Sequence, residues 1–307
     1  MSEKIILRNS TKYQLIKIIE IFENLAENMT NIFLCGGASY KNNISFRDKL
    51  NDYLASKKNS NVRVFYPEEL FISLMNTDKK QNMLDLENFL VHNSDVVCII
   101  AESVGSFVEL GAFVNNEVTK EKVVALVEKK YQRTKSFLML GPIDMLQKHN
   151  KDSVIFYKVD EVEKIGNELL NLIKYRRQKL WFSGLKLDTI VGMSYYVLLV
   201  LYFYERVSFS TLKKYVEFAL NFSNIKLEYS VDILLKASLK LLFKEKQIIK
   251  NANHTYSLSL KGIVDIRNIL GVETLSDFGN KKRLRIHTDA RLYDELKFDI
   301  MRNRYYS

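Results

Sequence analysis

An open α/β sheet covered on both faces, followed by a smaller and mostly helical domain, is the architecture this sequence predicts. Three observations predict it. Short apolar runs alternate with amphipathic stretches through roughly the first 175 residues, the rhythm of a parallel sheet with helices on both sides. The length, 307 residues, is about twice that of an ordinary single domain. Beyond about residue 174 the apolar runs give way to helical patterning, across a basic joint of Lys174, Arg176, Arg177 and Lys179.

Leu15, Ile18, Ile19, Phe22, Leu25, Ala26 and Met29 recur at helical spacing over 12–29 and predict an amphipathic helix. The run 31–36, ending at Gly36, predicts a strand, and 37–43 a polar loop. Ser45 can cap a helix over about 46–57. A second strand, 62–66, is ended by Pro67, and a helix over about 78–92 precedes a third strand at 95–100. Ser103 can cap the next helix, to about 116. Strands at 123–127 and 154–158 and a helix from 161 to about 175 complete the unit. Five strands in this rhythm suit a flavodoxin-like, doubly wound order, 2-1-3-4-5. That order makes strands one and three neighbours, with the topological switch point between them. The loop at Gly36 and Gly37 and the segment after strand three are thereby expected to converge on one crevice.

Farther on, helices are expected at about 188–205, 208–220 and 230–246, then two short strands around an Asn-rich turn within 247–259. Three helices and a β-hairpin form a winged helix-turn-helix pattern. A short helical piece opens at Gly262, and the tail from Lys281 to Arg304 mixes basic and aromatic residues without a clear core face. The expected domains are 1–175, 176–275 and a basic tail, 276–307.

An apolar fraction of 47% excludes a disordered chain. A net charge of +10 attracts polyanions, nucleic acid foremost; a generic lysine bias is the plain alternative. Cys35 and Cys98 fall inside expected strands, as small hydrophobes rather than a disulfide framework. The four histidines lack ligand spacing, so no metal and no cofactor is expected. The N-terminus shows no signal-peptide pattern, and the apolar stretch 190–204 is short for a membrane span, so a cytoplasmic protein without membrane contact is expected.

The candidate chemistry centres on Glu109. Side chains on a helix lean toward its N-terminus, which sets Glu109 over Gly105, an open floor before a carboxylate. Cleavage of a sugar–base bond builds positive charge on the sugar, and a carboxylate can stabilise that charge or form a covalent adduct. Ser106 lies on the same face and could hold a sugar hydroxyl or phosphate oxygen, with Ser103 and the first amides of the helix beside it. Gly36 and Gly37 offer close backbone approach, Tyr40 a ring to stack, and Asp85 or Glu87 a grip on a base. A solvated helix face is the plain alternative for each acid. In the second domain Lys236, Lys240 and Lys244 repeat every four residues on the expected recognition helix and fit phosphate contact. Without Arg, Asn or Gln beside them they do not fit base reading.

The segments 32–37, 93–97 and above all 105–112, Gly105 to Ala112 with Glu109-Leu110-Gly111 at its centre, resemble a nucleoside deoxyribosyltransferase-like domain over roughly 30–175. The resemblance implies that Glu109 is the nucleophile. That family often carries an aspartate six residues before the glutamate, helping to hold the base; here the position is Ser103, with Glu102 beside it, which favours hydrolysis over base exchange. The whole arrangement resembles the effector proteins encoded with bacterial retrons. This resemblance implies a toxin-like effector in phage defence, restrained by a reverse transcriptase and its branched RNA–DNA (msDNA). It also implies NAD⁺ or a related nucleotide as a substrate, and it leaves room for a homo-oligomer. A nucleotide-sensing transcription regulator without catalysis and a true base-exchanging transferase are the competing readings.

Overall fold

The computed structural model describes residues 7–40, 43–57, 61–66, 92–179, 184–227, 230–272 and 288–305. These divide into two units, one within 29–184 and one combining Met1–Asn28 with Leu185–Ser307.

In the first unit five strands form a parallel sheet: β1 (Thr30–Cys35), β2 (Val62–Phe65), β3 (Val96–Ile100), β4 (Val123–Glu128) and β5 (Val154–Tyr157). Their order is β2-β1-β3-β4-β5, and β1 pairs directly with β3, Ile32 opposite Val96 through Cys35 opposite Ile99. Every residue of β1 and β3 is buried, as a sheet covered on both faces requires. Alternate residues supply one core: Ile32, Leu34, Cys98, Ile100, Val124 and Leu126 pack with Leu50 and Leu54 of helix α2 (Phe46–Ser56). Full burial pushes the Cys98 thiol up to about 12, so it serves as packing.

Helices α3 (Val104–Asn115), α4 (Glu117–Lys120) and α5 (Asp144–His149) follow, and α6 (Val162–Lys179) closes the unit. Gly166 on α6 is needed where it stands. A Cβ there would lie 2.3 Å from the Tyr53 ring, whose hydroxyl donates to Asn167 Oδ1 at 2.9 Å. The helix expected over 78–92 lies outside the described residues.

The second unit is built on α7 (Ile190–Tyr204), buried at every residue. Around it stand β6 (Val207–Ser208), α8 (Phe209–Phe222), α9 (Val231–Lys244), β7 (Ile248–Lys250), β8 (Thr255–Leu258) and α10 (Leu260–Ile269). The three strands form an antiparallel sheet in the order β6-β8-β7. Among the described residues no helix is long and apolar enough to cross a membrane.

Two expectations need correction. The first helix, α1 (Asn9–Asn28), belongs to this second unit and not to a domain spanning 1–175. Its buried stripe meets α7: Phe22 sets its ring edge-on to Tyr196 at 6.1 Å, and Gln14 Oε1 accepts from the Tyr204 hydroxyl at 3.0 Å. The tail also carries structure, a helix α11 (Thr288–Tyr305) with Leu296 and Ile300 buried.

Candidate functional site

The crevice between the ends of β1 and β3 is assembled by Glu102, the second residue after β3. Its Oε1 accepts from the Gly37 amide at 3.1 Å and the Arg47 amide at 3.3 Å, and its Oε2 from the Phe46 amide at 3.2 Å. The loop after β1, the first turn of α2 and the loop after β3 therefore do converge. The Gly37 amide, in the loop expected to offer close backbone approach, is engaged by this internal carboxylate. Gly36 sits in the same close packing: a Cβ there would stand 3.2 Å from both Glu102 Oε1 and Arg47 Cβ, so these side chains would have to shift. Burial pushes the Glu102 carboxyl above its ordinary value, against the opposing pull of the three backbone N–H groups and Arg47.

A second carboxylate ties down the other side of the loop. Asp48 Oδ2 accepts from the Ser39 amide at 3.2 Å and from the Ser39 hydroxyl, and Oδ1 from the Tyr66 hydroxyl at 2.8 Å. Burial raises the Asp48 carboxyl, but the Ser39 and Tyr66 hydrogen bonds and Arg47 outweigh it, and the net shift is downward. The Arg47 side chain is buried, sits 4.3 Å over the Tyr66 ring and donates to the Gly36 carbonyl at 3.2 Å. Sequence reasoning missed Arg47, Asp48 and Tyr66, and met Glu102 only as a neighbour of Ser103. The available signal was polar residues placed at strand ends and in the first turn of a capped helix.

Ser103 caps α3 as expected. Its Oγ accepts from the Ser106 amide at 3.2 Å, and Ser106 Oγ returns to accept from the Ser103 amide at 3.0 Å, a reciprocal capping box. Ser106 is buried, and its hydroxyl donates to the Ser103 carbonyl at 2.9 Å. Its geometry is that of a cap rather than of a hydroxyl presented to a ligand.

Glu109 stands one turn further along α3, half-buried beside the packed stripe of Ser106, Leu110 and Phe113. Gly105, one helical turn earlier, is exposed, and a Cβ there would meet nothing within 4 Å. Tyr40 is paired through its backbone to Asn43 and is 75% exposed. Asp85 and Glu87 lie outside the described residues.

In the second unit Lys236, Lys240 and Lys244 are exposed along α9, opposite the buried Leu234, Leu235, Ser238, Leu241 and Leu242. The Lys236 ammonium lies 6.0 Å from the Phe209 ring.

The class is therefore a doubly wound α/β domain, with a carboxylate-bearing helix at its switch point, carried in one chain with a basic helical unit. The chain belongs to the STM3845 retron effector protein family, whose model matches residues 43–250. It is 29% identical over 282 residues to "Retron Ec86 putative ribosyltransferase/DNA-binding protein" of Escherichia coli, covering 85% of this chain and 89% of that protein. It is 32% identical over 135 residues, 42% of each protein, to "Retron Ec73 putative ribosyltransferase/DNA-binding protein" of the same organism.

Proposed function

We propose that the protein is a retron effector that cleaves the N-glycosidic bond of a nucleotide, NAD⁺ foremost, with Glu109 as nucleophile or charge stabiliser. The observation that supports this reading is a partly buried glutamate, Glu109, one helical turn after the open position Gly105, on the helix that leaves β3 at the switch point. A sugar set against that position presents its anomeric carbon to the carboxylate, where the positive charge of the transition state develops. Glu102 and Asp48 fix the surrounding loops, so that the crevice is formed before substrate arrives. The relatives named for ribosyl transfer support the same chemistry.

In this reading the second unit, where α7, α8 and α9 are followed by the β7–β8 hairpin, acts as a winged helix and docks the effector on nucleic acid through Lys236, Lys240 and Lys244. A reverse transcriptase and its branched RNA–DNA are the restraining partners in this reading. The names of the relatives, which include DNA binding, support it.

The test is incubation of the pure protein with a panel of nucleosides and dinucleotides, with released bases read by mass spectrometry. Base release that disappears in Glu109→Gln is the expected result. Ligand binding without product in the wild type would mark a nucleotide sensor instead. Exchange that needs an added free base would mark a transferase.

A further inference from the structure

The second unit holds a cavity of about 360 Å³ that has no part in the reading above. It is bounded by the end of α7, by β8, by α10 and by α11. Its volume falls at the small end of ligand pockets. Among the described lining residues Arg206, Arg267 and Lys297 stand against one carboxylate, Glu205, while Leu258 and Ile263 supply an apolar wall. A concave surface lined by three cations and by apolar side chains suits a ligand that has an anionic group at one end and a flat ring at the other.

The backbone at the cavity edge is strained. Glu205 has φ 60° and ψ −56°, and the Arg206 amide donates back to the Tyr204 carbonyl at 2.6 Å. This is a γ-turn of the rare hand, held by a residue that is not glycine. Such conformations persist only where their surroundings impose them, and they concentrate at binding sites. Here the turn stops α7 abruptly and places Glu205 and Arg206 together on the cavity wall. It also caps the end of α7: the Glu205 amide donates to the Leu201 carbonyl at 3.0 Å. The Leu201 and Tyr204 carbonyls are thereby occupied. The Lys297 ammonium is held 4.6 Å over the Tyr202 ring, which fixes a cation that a free lysine would leave mobile.

We propose that this cavity binds a phosphorylated small molecule of mononucleotide size, its phosphate against Arg206, Arg267 and Lys297 and its ring against the wall of Leu258 and Ile263. The site is independent of Glu109.

Calorimetry on the full chain tests this, using AMP as probe in the Glu109→Gln background so that turnover does not consume it. Saturable binding near one AMP per chain is expected, at least tenfold weaker when Arg206→Glu or Lys297→Met is added. Circular dichroism checks the fold of each variant, and Lys297→Met keeps an aliphatic stem on the Tyr202 ring should Arg206→Glu unfold. Absence of saturable binding, or affinity unchanged in the folded variants, overturns the proposal. Inorganic phosphate binding as tightly as AMP also overturns it, because the apolar wall would then contribute nothing. If the substitutions weaken only a duplex oligonucleotide and leave AMP unaffected, the residues belong to a polymer-binding surface and the proposal fails.

Discussion

Glu102 Oε1 accepts a hydrogen bond from the Gly37 amide at 3.1 Å, joining the loop after the first strand to the loop after the third. The same carboxylate takes the amides of Phe46 and Arg47, so one side chain caps α2 from outside its own sequence and closes the crevice. Glu102→Ala leaves partly buried amides without that acceptor, at a cost of about 1–3 kcal/mol. The melting temperature of the variant should fall by ~2–4 °C for each kcal/mol lost, the scaling for a body of this size. Glu102→Gln keeps an acceptor oxygen and should lose less. Thermal melts of the two variants, compared with wild type, check the order.

The same two loops respond to pH through two carboxylates with opposite signs. Burial raises Glu102 above its usual 4.5, so the folded protein holds that proton more tightly than the unfolded chain. Its contribution to stability is fully present below 4.5 and is lost as pH rises through the folded value. Asp48 is lowered below its usual 3.8. Its contribution is present above 3.8 and is lost as pH falls through the folded value. Glu102→Gln should therefore remove a pH dependence above 4.5, and Asp48→Asn one below 3.8. Denaturation midpoints followed across the acid range separate the two windows; a single common window for both variants would contradict the assignment.

Much of the first unit was legible because its signals are local. Alternating apolar runs and single-residue caps at Ser45 and Ser103 set the strands and helices, and the order of the sheet follows from their rhythm. The allegiance of α1 was not legible. Its apolar stripe shows that it is buried, and nothing in that stripe distinguishes the sheet from Tyr196 and Tyr204 of α7. The strand β6 is two residues long, too short to show a period. The helix α11 buries only Leu296 and Ile300 among its described side chains at such low exposure, a stripe too sparse to stand out from its charges. At the site, the pairing of Gly105 with Glu109 is a helical spacing and could be read directly. The roles of Glu102 and Asp48 depend on loops distant in sequence meeting in space, which no local pattern encodes.

The lysine stripe on α9 makes a quantitative prediction. Each phosphate neutralised releases condensed counterions, so the slope of log K against log salt changes by about 0.9 per contact on duplex DNA. Replacing Lys236, Lys240 and Lys244 together with alanine should flatten the slope by up to about 2.7 units if all three touch phosphate. Folding should be little affected, because all three side chains are exposed on the face opposite the packed one. Fluorescence anisotropy with a labelled duplex over a salt series checks this. An unchanged slope would place nucleic-acid binding on another surface.

Gly105 separates catalysis from stability more sharply than Glu109 does. A Cβ added there meets nothing within 4 Å, so alanine introduces no clash and removes the conformational cost of a glycine in a helix, up to about 1 kcal/mol. Gly105→Ala should therefore melt no lower than wild type, and slightly higher if the first turn behaves like a helix interior. A larger side chain at the same exposed position would fill the space that the proposed reading gives to the sugar. Gly105→Leu should then keep the melting temperature and lose base release by an amount approaching that of Glu109→Gln, which is expected to reach at least about 10³-fold, roughly 4 kcal/mol of transition-state stabilisation. Opposite responses of stability and turnover at one exposed glycine would be hard to obtain unless substrate rests on that floor. If Gly105→Leu turns over at the wild-type rate, the sugar approaches Glu109 from another direction.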